Sequence, residues 1–412
     1  MLEQNAIKVS QGDLTEDRFD RFRLIKWWNQ DKIAAARVLV VGAGALGNEL
    51  VKNLALLGFR QILIVDLDQI ECSNLSRSVL FRPNDIGKSK AETAAQSAMA
   101  IFPEAKVHHM DANILHEVGL GVFKWADVIL AGLDNREARL WINRCAWKTN
   151  RPWVDGAIEG INGVARVFIP GHPPCYECTL GETDWAILEK RMSCNLLSRD
   201  EMVNGKVPTT PTMSSIIAGV QVQEAVKLLH GLPVLAGKGL VFEGLNHTSY
   251  VVEYTANTEC MSHETYDNFA TWKRKSSEAT VHDLFEFAQD RLGAKEITLE
   301  FSREVIQKFV CPNCKQEEAV YLPVGKVGSA RGKCPHDSAS REVVAMHSYT
   351  GREEYGAKKL SDLGVPLFDV FVGRSGNGEV QILLEGDAPE VLGPLATERA
   401  ELRQNENQES CL

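Results

Sequence analysis

The stretch Arg37-Val38-Leu39-Val40-Val41-Gly42-Ala43-Gly44-Ala45-Leu46-Gly47 decides the fold of this 412-residue chain. A continuous apolar run such as residues 37–41 is typical of a strand buried on both faces of a parallel sheet. The glycines that follow let the backbone turn tightly into a helix and approach a phosphate group closely. The stretch therefore predicts the first strand, the phosphate-binding turn and the first long helix of a nucleotide-binding α/β domain.

Strands and helices continue to alternate after this stretch. Residues 13–36 predict an opening helical region, and a long helix is expected at about 212–229. Apolar runs predict further strands at residues 62–65, 107–110, 128–131, 153–154, 164–169, 239–243 and 249–254. This alternation predicts a Rossmann-like, doubly wound, mostly parallel sheet, with antiparallel strands after residue 155.

The length predicts more than one domain, because domains average about 150 residues. We expect a nucleotide-binding domain at 1–264, a smaller C-terminal α+β domain at 265–395 and a loose tail at 396–412. Within the second domain, Thr280 is expected to cap a helix that ends at Gly293. The remaining expected elements are a strand at 296–301 and a hairpin of 367–373 with 379–384.

The composition excludes several classes of function. Acidic residues outnumber basic ones by 55 to 45, and a net charge of −10 argues against a nucleic-acid partner. No apolar run approaches the roughly 18 residues of a membrane span, so no membrane partner is expected. The first residues show no secretory signal, and a cytoplasmic location is expected.

Charged residues after the glycine-rich turn favour a triphosphate over a dinucleotide. Asp66 lies 19 residues after Gly47, where an acid can accept hydrogen bonds from ribose, as in any nicotinamide or flavin enzyme. Arg77 and Lys90 follow closely, and two cations suit the β- and γ-phosphates of a triphosphate. Asp134 ends the fourth strand and is placed to hold Mg²⁺; by itself it would be read as a helix cap.

The order of these motifs resembles that of the ThiF/MoeB/ubiquitin-activating superfamily from residue 13 to about 264, nearly two-thirds of the chain. The matching motifs are Gly42-x-Gly44-x-x-Gly47, Asp66-x-Asp68, Ser73-Asn74-Leu-x-Arg77, Gly87-x-x-Lys90, Asp134-Asn135 and Cys175-x-x-Cys178. The resemblance implies a Rossmann-like domain that uses ATP and Mg²⁺ to adenylate the C-terminal glycine of a ubiquitin-like (β-grasp) protein.

The resemblance also implies roles for single residues. Asp66 and Asp68 would hold the ribose side, Asn74, Arg77 and Lys90 the phosphates, and Asp134 the Mg²⁺. In the family an arginine finger comes from the partner subunit's opening helix. Arg21 occupies that place, so a homodimer is expected, although without the resemblance it would be read as an exposed helix residue.

Paired cysteine and histidine residues predict two Zn²⁺ sites, because short spacing lets one turn present two ligands to a tetrahedral metal. The first site would combine Cys175 and Cys178 with Cys260 and His263, where a histidine replaces the family's usual fourth cysteine. The alternative is a set of ordinary buried thiols. The second site would use three cysteines and a fourth ligand that is open among His336, Asp337 and His347, with His336 favoured. Its cysteines are Cys311, Cys314 and Cys334.

Cys194 is the candidate nucleophile. It lies in the polar stretch 179–211, which corresponds by resemblance to the family's crossover loop, where compact activating enzymes carry a catalytic cysteine. A loop thiol suits a group that must reach the adenylate from solvent. The alternative is an incidental thiol, as sulfur-carrier adenylyltransferases also have cysteines there.

Three functions remain open at this point. The first is a compact ubiquitin-activating enzyme that forms a thioester on Cys194 and hands it to a conjugating enzyme. It resembles enzymes of bacterial ubiquitin-like operons, some of them antiphage. The second is a sulfur-carrier protein adenylyltransferase of the MoeB/ThiF type, with no catalytic thioester. The third is a non-catalytic zinc scaffold, against which the complete triphosphate set argues.

Overall fold

Two β-sheets organise the chain in the computed structural model, which describes residues 17–192 and 208–396. The strands of the first sheet are β1 (Arg37–Val41), β2 (Gln61–Val65), β3 (Lys106–Met110), β4 (Val128–Ala131), β5 (Trp153–Glu159), β6 (Asn162–Phe168), β7 (Lys238–Glu243) and β8 (Thr248–Glu253). Their order is β3-β2-β1-β4-β5-β6-β7-β8. Strands β1 to β5 are mutually parallel, and β6, β7 and β8 add on antiparallel.

Helices cover both faces of this sheet. In the described residues they are α1 (Asp20–Arg23), α2 (Gln30–Ala35), α3 (Ala45–Leu57), α4 (Lys90–Ile101), α5 (Leu120–Trp125), α6 (Arg136–Lys148), α7 (Glu182–Met192), α8 (Pro211–His230), α9 (Val281–Leu292) and α10 (Ala388–Leu392). The described part of the predicted opening helical region contains two short helices, α1 and α2. Among the described helices, none combines the length with the apolar character that crossing a membrane requires.

The alternating side chains of β1 explain why helices pack on both faces of the sheet. Val38 and Val40 pack into a core that includes residues of α3, α4 and α8. Leu39 and Val41 pack into a second core that includes residues of α5 and α6. Each of these four side chains is almost wholly buried. The predicted doubly wound, mostly parallel sheet is therefore confirmed.

The second sheet contains β9 (Phe269–Thr271), β10 (Thr298–Val310), β11 (Glu317–Pro323), β12 (Glu342–Tyr349), β13 (Val370–Ser375) and β14 (Gly378–Leu383). Its order is β11-β10-β13-β14-β9, and β12 also pairs with β10. Helix α9 packs on it, and the Thr280 hydroxyl caps this helix by accepting a hydrogen bond from the amide of Asp283 at 3.1 Å. The strand expected at 296–301 continues to Val310.

Polar and apolar contacts join the two sheets. Asp369, which is buried, accepts a hydrogen bond from the backbone amide of Leu120 at 2.7 Å. Arg303 donates to the carbonyl oxygens of Leu115 at 2.9 Å and Val118 at 2.5 Å. Phe368, Val370 and Val372 extend the core beneath α5. The second sheet is thus seated against the face of the first that carries α5 and α6.

Candidate functional site

The predicted nucleotide-binding residues meet where the strand order of the first sheet reverses, between β1 and β4. Ligands of open α/β sheets bind beyond the carboxyl ends of the strands at such a point. The amide of Gly42, just after β1, donates to the carbonyl of Val65 at 2.8 Å. The amide of Gly132, just after β4, donates to the carbonyl of Val41 at 2.9 Å. The glycine-rich turn and the loop that carries Asp134 therefore lie side by side.

The three glycines of the turn serve different purposes. Gly42 has a φ of +91°, and a β-carbon there would lie 2.7 Å from the carbonyl oxygen of Gly132. A β-carbon on Gly47 would lie 1.9 Å from the carbonyl oxygen of Gly42. Gly44 instead faces open space, with no atom within 4 Å of the place a β-carbon would take, at the start of α3. The first two are required by packing, and Gly44 leaves room for an anion at a helix N-terminus.

Asp66 holds the glycine-rich turn in place. Its Oδ2 accepts from the amide of Ala43 at 2.6 Å, and its Oδ1 accepts from the amide of Asp68 at 2.8 Å. Burial raises the pKa of Asp66, while these two hydrogen bonds oppose the rise. Each carboxylate oxygen keeps a second lone pair, so the group can still accept a ribose hydroxyl.

The two predicted phosphate-binding cations lie on neighbouring segments. Lys90 begins α4 and pairs with Asp68, with 2.8 Å between Nζ and Oδ2; its side chain is only 11% exposed. Arg77 is half-buried and donates to the carbonyl of Ser73 at 2.5 Å. Asn74 is buried, and its Oδ1 accepts from the amide of Glu71 at 2.8 Å, which fixes the loop that carries Arg77. The structure thus brings Lys90 to Asp68 and holds Arg77 on a short ordered turn.

Asp134 is exposed at the carboxyl end of β4. The cap of α6 is Asn135, whose Oδ1 accepts from the amide of Ala138 at 3.0 Å. The reading of Asp134 as a helix cap is therefore wrong, and its carboxylate is left to serve a ligand. A carboxylate beside a phosphate site is the type of oxygen ligand that Mg²⁺ uses in such sites.

Two buried polar residues near this site were not identified from the sequence. Asn48 on α3 donates to the carbonyl of Ala43 at 2.7 Å and accepts from the amide of Leu80 at 2.8 Å. Gln221 on α8 donates to the carbonyls of Ala131 and Val154. The available signal was a polar residue on an otherwise apolar helix face, because Asn48 shares its face of α3 with Val51 and Ala55, three and seven residues later.

A buried ion-pair network lies behind the Asp134 loop. Asp155 is fully buried, and its two oxygens accept from the Nε atoms of Arg139 at 2.8 Å and Arg166 at 2.9 Å. Burial opposes the ionisation of Asp155, but the two guanidinium groups outweigh it and lower its pKa. Arg139 also donates to the carbonyl of Leu133, the residue before Asp134. The network therefore positions the candidate Mg²⁺ ligand through the backbone.

Arg21 is not brought to the other site residues within the chain. It is exposed on α1, which is anchored by Phe19 against Gly58 and Phe102. Gly58 ends α3, whereas the glycine-rich turn begins it. A helix of 13 residues is about 20 Å long, so Arg21 lies at the far end of α3 from the site.

Four ligands of the first predicted metal site converge. The Sγ atom of Cys175 lies 3.7 Å from that of Cys178 and 3.6 Å from that of Cys260, and the Sγ of Cys178 lies 3.4 Å from His263 Nε2. A tetrahedral Zn²⁺ with Zn–S bonds of about 2.3 Å separates its sulfurs by about 3.8 Å. The donor set and its spacing therefore fit Zn²⁺. Burial lowers the pKa of His263, which favours the neutral form that binds metal.

Helix α6 supports this metal site from behind. Asn143 is fully buried, and its Oδ1 accepts from the amide of Tyr176, the residue after Cys175, at 3.0 Å. Arg144 forms two hydrogen bonds of 3.1 Å with Glu177, and the ring of Trp147 stacks on His263 at 4.3 Å. The same helix that starts at the Asp134 loop thus ends at the metal ligands.

The three cysteines predicted for the second metal site come together with a different fourth side chain. Cys311, Cys314 and Cys334 group with Asp337, and their ligand atoms all lie within 4.8 Å of one another. His336, the favoured candidate, is exposed and is not part of this group. That expectation is corrected to Asp337, since the turn after Cys334 directs the third residue, not the second, toward the thiols.

Cys194 lies outside the described residues, but the elements on either side of it are placed. Arg136, two residues after Asp134, pairs with Asp184 on α7 at 2.7 Å. The chain is described again from Pro208, whose carbonyl accepts from the amide of Gly160 at 2.8 Å. The start of α7 and Pro208 are therefore each attached to elements that follow the carboxyl ends of β4 and β5.

Curated relatives share part of this arrangement. The chain is 40% identical over 149 residues to the SUMO-activating enzyme subunit uba-2 of Caenorhabditis elegans, covering 36% of this chain and 26% of the relative. It is 41% identical over 157 residues to the NEDD8-activating enzyme E1 catalytic subunit of Arabidopsis thaliana, covering 35% and 34% respectively. The matches thus span about a third or less of these relatives. These relatives are activating enzymes of ubiquitin-like proteins.

A solved structure and a family model match a larger share of the chain. The structure of E. coli MccB with ATP superposes with a TM-score of 0.50 at 22% identity, over 60% of this chain and 75% of that one, which shows a common fold. The model of the ThiF family matches residues 17–262. Since that match spans more than half of the chain and contains the whole candidate nucleotide site, this protein is a member of the ThiF family.

Proposed function

We propose that this protein adenylates the C-terminal glycine of a ubiquitin-like protein. The Cys194 thiolate then attacks the acyl carbon of the adenylate, a C–S bond forms, and the bond to AMP breaks, which leaves a thioester and free AMP. One observation carries the proposal: the glycine-rich turn, open at Gly44, and the loop that carries Asp134 lie side by side at the switch point of the sheet. Lys90 pairs with Asp68, two residues after the Asp66 that holds this turn. The ubiquitin-like substrate class is taken from the activating enzymes that the chain is similar to.

The reaction brings two anions together, and the chain supplies the charges that this requires. The substrate carboxylate attacks the α-phosphate of ATP, a new P–O bond forms, and the bond to the β-phosphate breaks to release pyrophosphate. Lys90 and Arg77 would offset the negative charge of the leaving pyrophosphate, and the N-terminus of α3 would hold a phosphate. No side-chain base is needed, because the attacking carboxylate is already ionised.

Mg²⁺ and Zn²⁺ complete the proposal. Mg²⁺ held by Asp134 would withdraw charge from the phosphates. Zn²⁺ held by Cys175, Cys178, Cys260 and His263 would fix the segment after β6 to the segment after β8. The role of this Zn²⁺ is structural, since four protein ligands leave no open position for a substrate.

An exposed apolar surface at the edge of the first sheet supports a protein substrate. Leu245, Tyr250 and Val251 lie on β8 or the turn before it and are 80%, 46% and 46% exposed. Tyr250 and Val251 are consecutive, so this edge strand exposes one large apolar side chain on each face of the sheet. An exposed edge strand is a place where another chain can bind. We propose that the ubiquitin-like protein docks here and extends its C-terminal glycine toward the switch point.

We propose a homodimer in which Arg21 acts on the partner's nucleotide. Leu24, Ile25 and Trp27 follow α1 and are 59%, 37% and 41% exposed, so a second copy would cover apolar surface beside Arg21. This arrangement would explain why Arg21 lies far from the site of its own chain.

Mixing two inactive variants tests this arrangement. Arg21→Ala and Asp134→Ala should each be inactive alone, but a mixed dimer would contain one complete site. After subunit exchange, about a quarter of the wild-type adenylation rate is expected, because about half of the dimers are mixed and each has one working site. Adenylation that stays absent in the mixture would contradict action across the dimer.

Cys194→Ala tests the thioester. We expect ATP–pyrophosphate exchange to continue with a β-grasp protein ending in glycine, while a thiol-sensitive adduct on a non-reducing gel disappears. Cys72→Ala, which removes an exposed thiol, is the matched control and should keep the adduct. An adduct that persists without Cys194 would refute its role. Exchange without any adduct in the wild-type protein would favour sulfur-carrier adenylation.

Transfer to a conjugating enzyme completes the proposed pathway. The second sheet, which lies outside the family match, is the part of the chain available for recruiting that enzyme. We also propose a cytoplasmic location and a role in a bacterial antiphage operon, because the resemblance of the sequence implies both.

A further inference from the structure

We propose that Cys311, Cys314, Cys334 and Asp337 bind a second Zn²⁺, with Asp337 as the fourth ligand. The site lies outside residues 17–262, so family membership does not account for it. It is independent of the proposed enzymatic function and is argued from local geometry.

The separations between ligand atoms indicate a shared ion. The Sγ atoms of Cys314 and Cys334 are 3.7 Å apart, and the Sγ of Cys311 lies 3.6 Å from Asp337 Oδ2. A disulfide would bring two sulfurs to about 2.05 Å. Tetrahedral Zn²⁺ separates two thiolate ligands by about 3.8 Å, which is close to the observed value.

The backbone shows the same turn twice. In the first turn, the amide of Lys315 donates to the carbonyl of Cys311 at 3.0 Å, and the amide of Cys311 donates to the carbonyl of Gln316 at 2.9 Å. In the second turn, Ser338 donates to Cys334 at 2.9 Å, and Cys334 donates to Ala339 at 2.8 Å. Each pair of bonds joins the first cysteine to the residues four and five positions later.

Two unusual backbone angles complete the correspondence. Lys315 has a φ of +59° and Ser338 a φ of +57°, although neither is a glycine. In L-residues this left-handed conformation is disfavoured. The two residues occupy equivalent positions, one after the second ligand of each turn. Asp337 therefore stands where Cys314 stands in the first turn, and His336 corresponds to Asn313, which is not a ligand.

The ion would hold together the ends of three strands. β10 ends directly before Cys311, β11 begins shortly after Cys314, and β12 begins shortly after Asp337. The buried apolar cluster between these strands consists of only Ile306, Phe309 and Val327 among the described residues. A core of this size needs a further constraint, and a structural metal supplies one.

The metal would also seat this part of the second sheet on the first. The turn that follows β11 carries Lys326, whose Nζ pairs with Glu117 Oε1 at 2.8 Å. The Oε2 atom of Glu117 accepts from the amide of Asn113, three residues after β3. Loss of the second Zn²⁺ should therefore loosen the contact between the two sheets.

Zinc content of the full-length chain tests the proposal. We expect about two Zn²⁺ per chain in the wild-type protein, as two closed four-ligand sites require. Asp337→Ala should lower the content to about one, while the neighbouring His336→Ala should leave it unchanged. Cys260→Ser should remove the other Zn²⁺. The assignment would be overturned if the His336→Ala variant lost one Zn²⁺ and the Asp337→Ala variant kept both.

Asp337→Cys keeps the proposal testable if Asp337→Ala fails to fold. The replacement should retain both Zn²⁺ ions and release the second one to a chelator more slowly, since thiolate is the softer ligand. With Co²⁺ in place of Zn²⁺, the thiolate-to-metal absorption per ion should rise. An unchanged Co²⁺ spectrum and release rate would show that position 337 does not bind the metal.

Discussion

Asp134→Ala should lower ATP–pyrophosphate exchange by about 10²–10³-fold, the effect typical of removing a group that stabilises charge in the transition state. Asp134 is exposed and does not cap α6, so its loss should leave the fold intact. The free energy of unfolding should change by less than about 0.5 kcal/mol, as for most surface substitutions. Asp267→Ala, which removes another exposed carboxylate, is the matched control for both measurements.

The dependence of exchange on Mg²⁺ separates two explanations for such a loss. If Asp134 binds the metal, Asp134→Asn should require a higher Mg²⁺ concentration and recover part of its rate when that concentration is raised. A variant that is inactive at every Mg²⁺ concentration would indicate a positional role. Full activity of Asp134→Ala would refute the Mg²⁺ site.

Asp155→Asn should lower the free energy of unfolding by about 3–5 kcal/mol, because it leaves buried guanidinium groups without a counter-charge. Asp155 is fully buried, and the side chains of Arg139 and Arg166 are only 8% and 14% exposed. Urea denaturation measures the change. The exposed pair of Arg60 and Glu104 is the control, and Glu104→Gln should cost less than about 1 kcal/mol. A small loss for Asp155→Asn would show that the network does not depend on its charge.

The pH dependence of stability follows from the same network. The pKa of Asp155 is lowered in the folded protein, whereas an aspartate in an unfolded chain has a pKa of about 3.9. Its contribution is therefore fully present above that value and is lost as the pH falls through the lowered folded pKa. Asp155→Asn should remove this part of the acid dependence.

Local sequence patterns predicted the structural elements that depend only on residues close together in the chain. The apolar run of β1, the glycine-rich turn and the Thr280 cap need only neighbouring residues, and each was found where expected. The opening region 13–36 was expected to be helical, but its described part contains two short helices, and exposed side chains such as Leu24 and Trp27 interrupt the amphipathic pattern. The strand at 296–301 runs nine residues further, to Val310, because it pairs with β11 and β12.

Long-range contacts explain what the sequence did not reveal. Arg139 and Asp155 are 16 residues apart in the chain, and Asp155 also binds Arg166 on the next strand, so their pairing depends on the completed sheet. Among His336, Asp337 and His347, His336 was favoured as the fourth ligand of the second site. Asp337 stands at the same spacing from Cys334 as Cys314 does from Cys311, and the hydrogen bonds of the two turns distinguish it from His336.

Helix α6 connects the candidate nucleotide site to the first candidate metal site. Its N-terminal end follows Asp134, its middle carries Arg139 and Asn143, and its last turn stacks Trp147 on His263. A rigid helix that is held at both ends transmits a displacement at one end to the other. By thermodynamic linkage, if Zn²⁺ strengthens ATP binding by some factor, ATP must strengthen Zn²⁺ binding by the same factor. The Zn²⁺ affinity of this protein would then depend on the concentration of ATP around it.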